Sequence, residues 1–219
     1  MAKVLITGAN RGIGLELVRQ LAKRGDEVIA LCRKASSELT KQGVRVFEGI
    51  DVTDDAALAT VSRELGDTKI DILISNAGVM LDEPFPNLDL DGIRKQFEVN
   101  TLGPLLVTST LRDHLQPGSK VILITSRMGS IGDNESGGYY GYRMSKAALN
   151  MAGVNLAHDL RNGGIAVAVL HPGMVATRMT GNHGIPVEEA AEGLIERIDD
   201  LALATSGGFW HANGERLPW

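Results

Sequence analysis

Residues Val121–Ile124 and Ala166–Leu170 are apolar without interruption, so neither face of an extended chain there is left for water. Strands of this kind are buried on both sides, as the central strands of parallel sheets are. Short runs with the same character recur at Val4–Thr7, Glu27–Cys32, Val44–Glu48, Ile70–Ser75, Lys120–Thr125, Ile165–Leu170 and Gly208–His211. Between them lie segments with helical spacing. The first begins near Gly12, carries Ile13, Leu17 and Leu21 on one face, and stops at Gly25, a residue suited to a helix C-terminus. Others are expected near Asp54–Leu65, Leu88–Leu115, Tyr139–Arg161 and Val187–Ala204. The last follows Pro186 and has Glu188 and Glu189 in its first turn, both favourable at a helix start. Strands alternating with helices from end to end predict right-handed βαβ units. The expected fold class is α/β: a single-domain, doubly wound parallel sheet of about seven strands with helices on both faces. The 219 residues suit one such domain, and no repeat, linker or low-complexity segment divides them.

Bulk properties exclude several classes. A net charge of -5 argues against a nucleic-acid surface. The single cysteine, Cys32, allows no intrachain disulfide and fits a reducing compartment. Val4–Thr7 is too short for a signal-peptide core, and no apolar run is long enough to span a membrane. No metal site is expected, and the expected location is the cytoplasm.

The first strand ends in Thr7-Gly8-Ala9-Asn10-Arg11-Gly12-Ile13-Gly14, and a helix follows at once. Glycines let the backbone turn tightly and approach a pyrophosphate. The helix N-terminus then offers free N–H groups and a partial positive charge. A glycine-rich turn alone is a weak signal, and a plain tight turn is the alternative. After the first strand of a βαβ unit it points to dinucleotide binding by Gly8, Asn10, Arg11, Gly12, Ile13 and Gly14. Arg11 opposes the helix dipole, so an anion to bind explains it better than local stability does. Arg33 follows the second strand, where an NAD enzyme wants a carboxylate for the ribose 2′-hydroxyl. Two guanidiniums there suit a 2′-phosphate, hence NADP; two solvated surface arginines are the alternative.

Tyr142 and Lys146 are four residues apart and share one helix face. A tyrosine with an ordinary pKa of about 10 is poorly matched to acid–base work at neutral pH. A nearby ammonium lowers that pKa, and a lysine at this spacing can also bond a ribose hydroxyl. The spacing is common by chance; Tyr139 and Arg143 repeat it. Ser126 ends the fifth strand, where the crevice of an open parallel sheet lies, and can donate to a substrate oxygen. Its alternative is a turn cap. Asn100 lies four residues before Pro104, which lacks the N–H that would bond the Asn100 carbonyl. The long helix should kink there, and the freed carbonyl can hold a water. Asn76-Ala77-Gly78 ends the fourth strand, Asp51-Val52 the third and His171-Pro172-Gly173 the sixth, with Val175 and Thr177 just beyond. All the polar signals fall on the carboxyl side of the strands.

Together these residues resemble the short-chain dehydrogenase/reductase family, whose Rossmann fold the strand pattern matches. The resemblance covers nearly the whole chain. It rests on T-G-A-N-R-G-I-G at residues 7–14, N-A-G at 76–78, Asn100, Ser126, Y-R-M-S-K at 142–146 and P-G-M-V-A-T at 172–177. The ending, residues 208–219, resembles the C-factor/sniffer-like carbonyl reductase branch. By resemblance Tyr142 is the general acid, Ser126 orients the carbonyl, Lys146 lowers the Tyr142 pKa and binds the nicotinamide ribose, and Asn100 holds a water for proton return. Asp51 and Val52 are implied at adenine and Asn76 on the adenosine side, with Ala77 and Gly78 also among the cofactor-binding residues. Val175 and Thr177 are implied at the nicotinamide carboxamide, with Pro172 and Gly173 also among the cofactor-binding residues. One departure is the short stretch from Thr177 to the last helix near Val187, which implies an open, unselective substrate site. Met128, Tyr139, Met174, Met179 and His183 can line it, or can be ordinary loop packing; Trp210 and Trp219 read as packing.

The expected function is NADP(H)-dependent reduction of small carbonyl compounds (aldehydes, ketones, quinones) to alcohols, with neither nucleic acid nor membrane as partner. An alcohol dehydrogenase for one metabolite is a variant of the same chemistry. A dinucleotide-binding signalling or regulatory protein with incidental turnover is the alternative from another class. Family members commonly pair their two long helices across a two-fold axis, so the expected assembly is a homodimer.

Overall fold

A computed structural model describes residues 1–219. Seven strands form one sheet: β1 (Lys3–Thr7), β2 (Glu27–Cys32), β3 (Arg45–Glu48), β4 (Ile70–Ser75), β5 (Leu115–Ile124), β6 (Ala166–His171) and β7 (Gly208–His211). Their spatial order is β3-β2-β1-β4-β5-β6-β7, and every neighbouring pair is parallel. The chain builds outward from β1 to β3, then returns to lay β4 against the other side of β1. The order therefore reverses between β1 and β4, and a crevice opens above their carboxyl ends.

The helices are α1 (Gly12–Arg24), α2 (Ser37–Thr40), α3 (Asp55–Leu65), α4 (Leu90–Phe97), α5 (Gly103–Thr110), α6 (Tyr140–Arg161) and α7 (Val187–Asp200). They cover both faces, and the cores follow the two-residue period of the strands. Ile122 and Ile124 of β5, with Ala168 and Leu170 of β6, meet Leu17 and Leu21 of α1 and Leu194 and Ile198 of α7. Val121 and Leu123, with Val167, face the other way onto Leu58 of α3, Val107 of α5 and Leu149 and Leu160 of α6. Gly25 closes α1 in a left-handed conformation, its N–H bonding Leu21 and Ala22 carbonyls.

Several boundaries differ from expectation. The segment 88–115 is three pieces rather than one kinked helix. A π-helical turn, Glu98–Leu102, separates α4 from α5, and the Gly103 amide bonds the Glu98 carbonyl five residues back. Pro104 has no N–H to close the normal four-residue bond at this point, so the register widens just before it. α5 ends at Thr110, and Leu115 already opens β5. β5 is thus longer than its apolar run; its pairing with β4 shifts register between Ile70 and Ile72, so a bulge absorbs the extra residues. α6 begins at Tyr140, after Tyr139 in a left-handed conformation. α7 stops at Asp200, and a separate 3₁₀ turn covers Leu203–Thr205. α2 has no counterpart among the expected helices, and β3 ends at Glu48, so Asp51 and Val52 lie beyond it. No helix is long and apolar enough to cross a membrane.

Candidate active site

The glycine turn after β1 is locked to the end of β4. Thr7 Oγ1 accepts from the Asn76 and Ala77 amides, each at 3.1 Å. Asn76 Nδ2 donates to the carbonyls of Thr7 (3.0 Å) and Gly8 (3.2 Å). Gly8 has a φ of +66°, and a Cβ on it would sit 2.8 Å from the Ala77 Cα. A Cβ on Gly14 would collide with the Gly8 carbonyl and with Asn76 Nδ2. Only glycine therefore brings α1 this close to the turn. α1 starts at Arg11 with no side-chain cap and no acidic residue in its first turn. Its first amides have no side-chain cap and lie at the positive end of the helix dipole, which suits an anion. A pyrophosphate fits these residues. Ile13 is partly buried against the core. Asn10 Nδ2 instead donates to the Lys34 carbonyl at 3.0 Å, and Ser36 Oγ donates to the Asn10 carbonyl at 2.8 Å, so Asn10 ties the turn to the loop after β2.

Arg33 in that loop and Arg11 in the glycine turn are both exposed. Arg33 lies 4.0 Å from Asp51. Burial pushes the Asp51 carboxyl up, but the Thr53 amide and hydroxyl and the Arg33 charge outweigh it and hold it low. Val52 is buried, and its side chain lies close enough that a Cβ on Gly103 would come within 2.9 Å. Val52 thus packs the junction before α5. Burial, then the Glu48 carboxylate, pushes the Cys32 thiol up, which suits a wall residue.

The second half of the crevice lies above β5 and β6. Ser126 follows β5 and is buried, and its side chain stands near enough to the Tyr142 hydroxyl to act on its pKa. Its Oγ also accepts from the Met128 amide at 3.1 Å, capping a 3₁₀ turn at Arg127–Gly129. The cap reading of Ser126 holds, and its hydroxyl, which accepts in the cap, keeps a proton to donate. Burial pushes the Tyr142 pKa up to about 12, with Ser126 acting the other way. Lys146 is 4 % exposed; its Nζ donates to the Ile124 carbonyl at 2.9 Å and lies 5.8 Å from the Tyr142 ring centre. Burial pushes its pKa down to about 8. The expected lowering of the Tyr142 pKa by Lys146 is therefore not the dominant effect here: desolvation acts on both groups and favours the neutral form of each.

Asn100 is fully buried, and its side chain is wholly spent. Oδ1 accepts from the Val79 amide and Nδ2 donates to the Val79 carbonyl, both at 2.8 Å, and Nδ2 also donates to Ser145 Oγ at 3.0 Å. A Cβ on Gly78 would lie 3.3 Å from Asn100 Oδ1 and 3.7 Å from Lys146 Nζ, so the turn after β4 reaches Lys146 as well.

At the end of β6, His171 stands edge-on to His211 at 4.8 Å between ring centres, and burial, then His211 and Arg127, pushes its pKa down to about 3. Pro172 is buried and Gly173 left-handed. Val175 pairs with Ile185, and Thr177 lies opposite Gly12, its Cγ2 3.5 Å from where a Cβ would stand. This loop thus comes back to the phosphate turn. Met174 (62 % exposed) and Met179 (42 %) flank it, with His183 exposed further along. Met128 and Tyr139 lie on the neighbouring loop, Met128 half-buried and Tyr139 exposed. Trp219 stacks on Phe209 at 5.3 Å.

Sequence reasoning missed a set of buried polar residues: Thr7, Glu83, Gln96, Thr101, Ser145 and Asn150. Asn150 accepts from Thr125 Oγ1 at 2.7 Å and donates to the Gly129 carbonyl at 3.2 Å, holding the turn after Ser126. One signal for it was legible. Tyr142, Ser145, Lys146 and Asn150 form a polar stripe at helical spacing, which ordinary core packing does not require.

Comparison with known proteins adds four findings. Residues 2–186 match the family model described as short chain dehydrogenase. The chain is 46% identical to 1-hydroxy-2-glutathionyl-2-methyl-3-butene dehydrogenase of Rhodococcus sp. (strain AD45), covering 100% of both proteins. It is 42% identical to C-signal of Myxococcus xanthus, over 68% of this chain and 93% of that protein. Among solved structures, NADPH-bound carbonyl reductase from chicken fatty liver superposes with a TM-score of 0.90 at 31% identity, covering 100% of this chain and 99% of that one.

Proposed function

Since the chain belongs to the short-chain dehydrogenase family, we propose that it is an NADP(H)-dependent oxidoreductase that reduces carbonyl compounds to alcohols. The observation that carries this is the buried group of Ser126, Tyr142 and Lys146, the lysine beside the tyrosine ring, at the carboxyl end of the sheet next to the uncapped start of α1. NADPH, when bound, supplies the hydride. The α1 amides and Gly8, Gly12 and Gly14 hold its pyrophosphate; Arg11 and Arg33 hold the 2′-phosphate, as two exposed cations beside that helix start can. Pro172, Gly173, Val175 and Thr177 hold the carboxamide end. Ser126 donates to the substrate oxygen and stabilises the charge that develops there. Tyr142 gives that oxygen its proton. A pKa pushed up to about 12 keeps the phenol protonated throughout the neutral range, the state a general acid must start from. Lys146, near 8, stands at the right value to pass a proton back, with the Asn100 backbone carbonyl holding the connecting water. The exposed Met174 and Met179 beside a short loop support an open, apolar mouth and broad selectivity. Exposed Leu102, Met144 and Met151 on the helices beside the sheet support a homodimer, which light scattering tests. The single buried Cys32 fits a cytoplasmic location.

Initial rates with a panel of aldehydes, ketones and quinones test the reading. NADPH oxidation by several of them, with much slower use of NADH, is the expected result; no turnover with either cofactor overturns it. The likeness to C-signal favours a second reading, a signalling protein that binds the dinucleotide. Tight NADPH binding with no carbonyl reduced is the result that reading requires.

A further inference from the structure

Two rows of hydrogen bonds grip α6 from its side, and each ends one residue before a group the proposed chemistry uses. Gln96 and Asn100 are four residues apart and so lie on one face of the α4–π segment. Both reach back to the loop that follows β4. Gln96 Oε1 accepts from the Leu81 amide at 3.0 Å, as Asn100 Oδ1 does from Val79. Both rows then cross to α6. The Asn100 row ends on Ser145, directly before Lys146. In the other, Gln96 Nε2 donates to Glu83 Oε1, and Glu83 Oε2 accepts the Gly141 amide at 3.3 Å, directly before Tyr142.

Glu83 is the unusual member. It is 1 % exposed, yet none of the ion pairs in the molecule includes it. A carboxylate so buried persists only where donors face it. Its donors are the Gln96 amide and the first turn of a 22-residue helix. That turn has no acidic residue of its own, and Tyr139 supplies no side-chain cap. Glu83 thus brings from another segment the negative charge that a helix N-terminus favours. Gly141 is matched to it: a Cβ there would collide with Gln96 Nε2 and stand 2.8 Å from Glu83 Oε1.

We propose that Glu83 is a positioning residue: held by Gln96, it fixes the first turn of α6 through the Gly141 amide and so aims the Tyr142 hydroxyl at Ser126. The inference rests on the functional reading above.

The test uses the full chain with Glu83→Ala and Glu83→Gln, measuring kcat, NADPH affinity and amide exchange at residues 140–146. A small misplacement of a reacting group is costly, so Glu83→Ala should lower kcat by about thirtyfold. NADPH affinity, set at the other end of the crevice, should stay within about twofold. Glu83→Gln, which still offers an oxygen to Gly141, should bring kcat back to within about fivefold of the wild type, and exchange in the first turn should quicken by about tenfold in the alanine variant alone. Should the alanine variant not fold, Glu83→Gln carries the test, with kcat lowered by about fivefold at unchanged affinity. A folded Glu83→Ala protein with wild-type kcat overturns the inference, as does a loss shared equally by kcat and NADPH binding. A wild-type protein inert towards every carbonyl overturns the functional reading instead. In that event amide exchange alone decides the role of Glu83, and unchanged exchange at 140–146 sinks it.

Discussion

The two ends of the crevice are built by different means. At the phosphate end, backbone does the work: a turn of eight residues, a helix N-terminus and glycines whose missing side chains leave room. At the carbonyl end, side chains do it, drawn from the loops after β4 and β5, the α4–π segment and α6. The first end is contiguous in sequence, and its one long-range brace is the Asn76–Ala77 lock from the end of β4. The second depends on buried polar contacts between residues up to 58 positions apart, each satisfied by another. A molecule of this kind can keep its cofactor site while losing its chemistry, and the reverse should be hard to achieve.

The largest expected effect breaks the comparison at the carbonyl end. Tyr142→Phe removes the proton donor and leaves the glycine turn intact, so steady-state kcat should fall by about 10³-fold while NADPH still binds. Gly14→Ala strikes the other end. Its Cβ meets the Gly8 carbonyl and Asn76 Nδ2, so α1 must retreat, and NADPH affinity measured by titration should weaken by about 100-fold. Arg33→Asp should act on cofactor choice alone, since Arg33 is exposed and touches no part of the carbonyl end. The NADPH-to-NADH ratio of kcat/KM should drop by about tenfold or more, at unchanged thermal midpoint.

Lys146 gives the smallest effect in energy, yet it separates stability from function. Its folded pKa, about 8, lies below the ordinary 10.5, so the unfolded chain binds the proton more tightly. Stability should therefore rise as pH rises from about 8 to 10.5, and be lost again as pH falls back to 8. Lys146→Met removes this buried charge and should raise stability at pH 7 by about 1–3 kcal/mol, a gain that fades by pH 10.5. Denaturant titrations at the two pH values check it. The same variant should lose most of its reductase activity. In the wild type, kcat for reduction should decline above about pH 8 with the Lys146 proton, since Tyr142 titrates far higher.

This division also explains what was legible in the chain. The seven strands and their parallel pairing match the expected runs, and the central ones, buried on both faces, leave the plainest mark on sequence, whereas their spatial order shows only in the fold. The glycine turn is contiguous, so its fit to a phosphate is legible in consecutive residues alone. The break at Glu98–Leu102 is not, beyond the expectation of a kink: a proline marks where a bond is missing, while the wider π register also answers to packing, here Val52 against Gly103. Likewise Asn76, Asn10 and Val52 stand where expected along the chain, but their side chains are spent on holding the turn and the core. Glu83 and Gln96 left no signal, since a polar residue on a loop or helix reads as a solvated one until its neighbours are known.

The most direct measurement follows the hydride itself. An aldehyde is incubated with the enzyme and NADPH deuterated at the transferable position of the nicotinamide, and the product is analysed by mass and NMR. The expected product is an alcohol with one deuterium on the former carbonyl carbon, one NADP⁺ formed per alcohol, and a hydroxyl proton drawn from solvent through Tyr142. Alcohol formed without deuterium, or NADPH bound and returned unchanged in the presence of the whole carbonyl panel, would contradict the proposed chemistry.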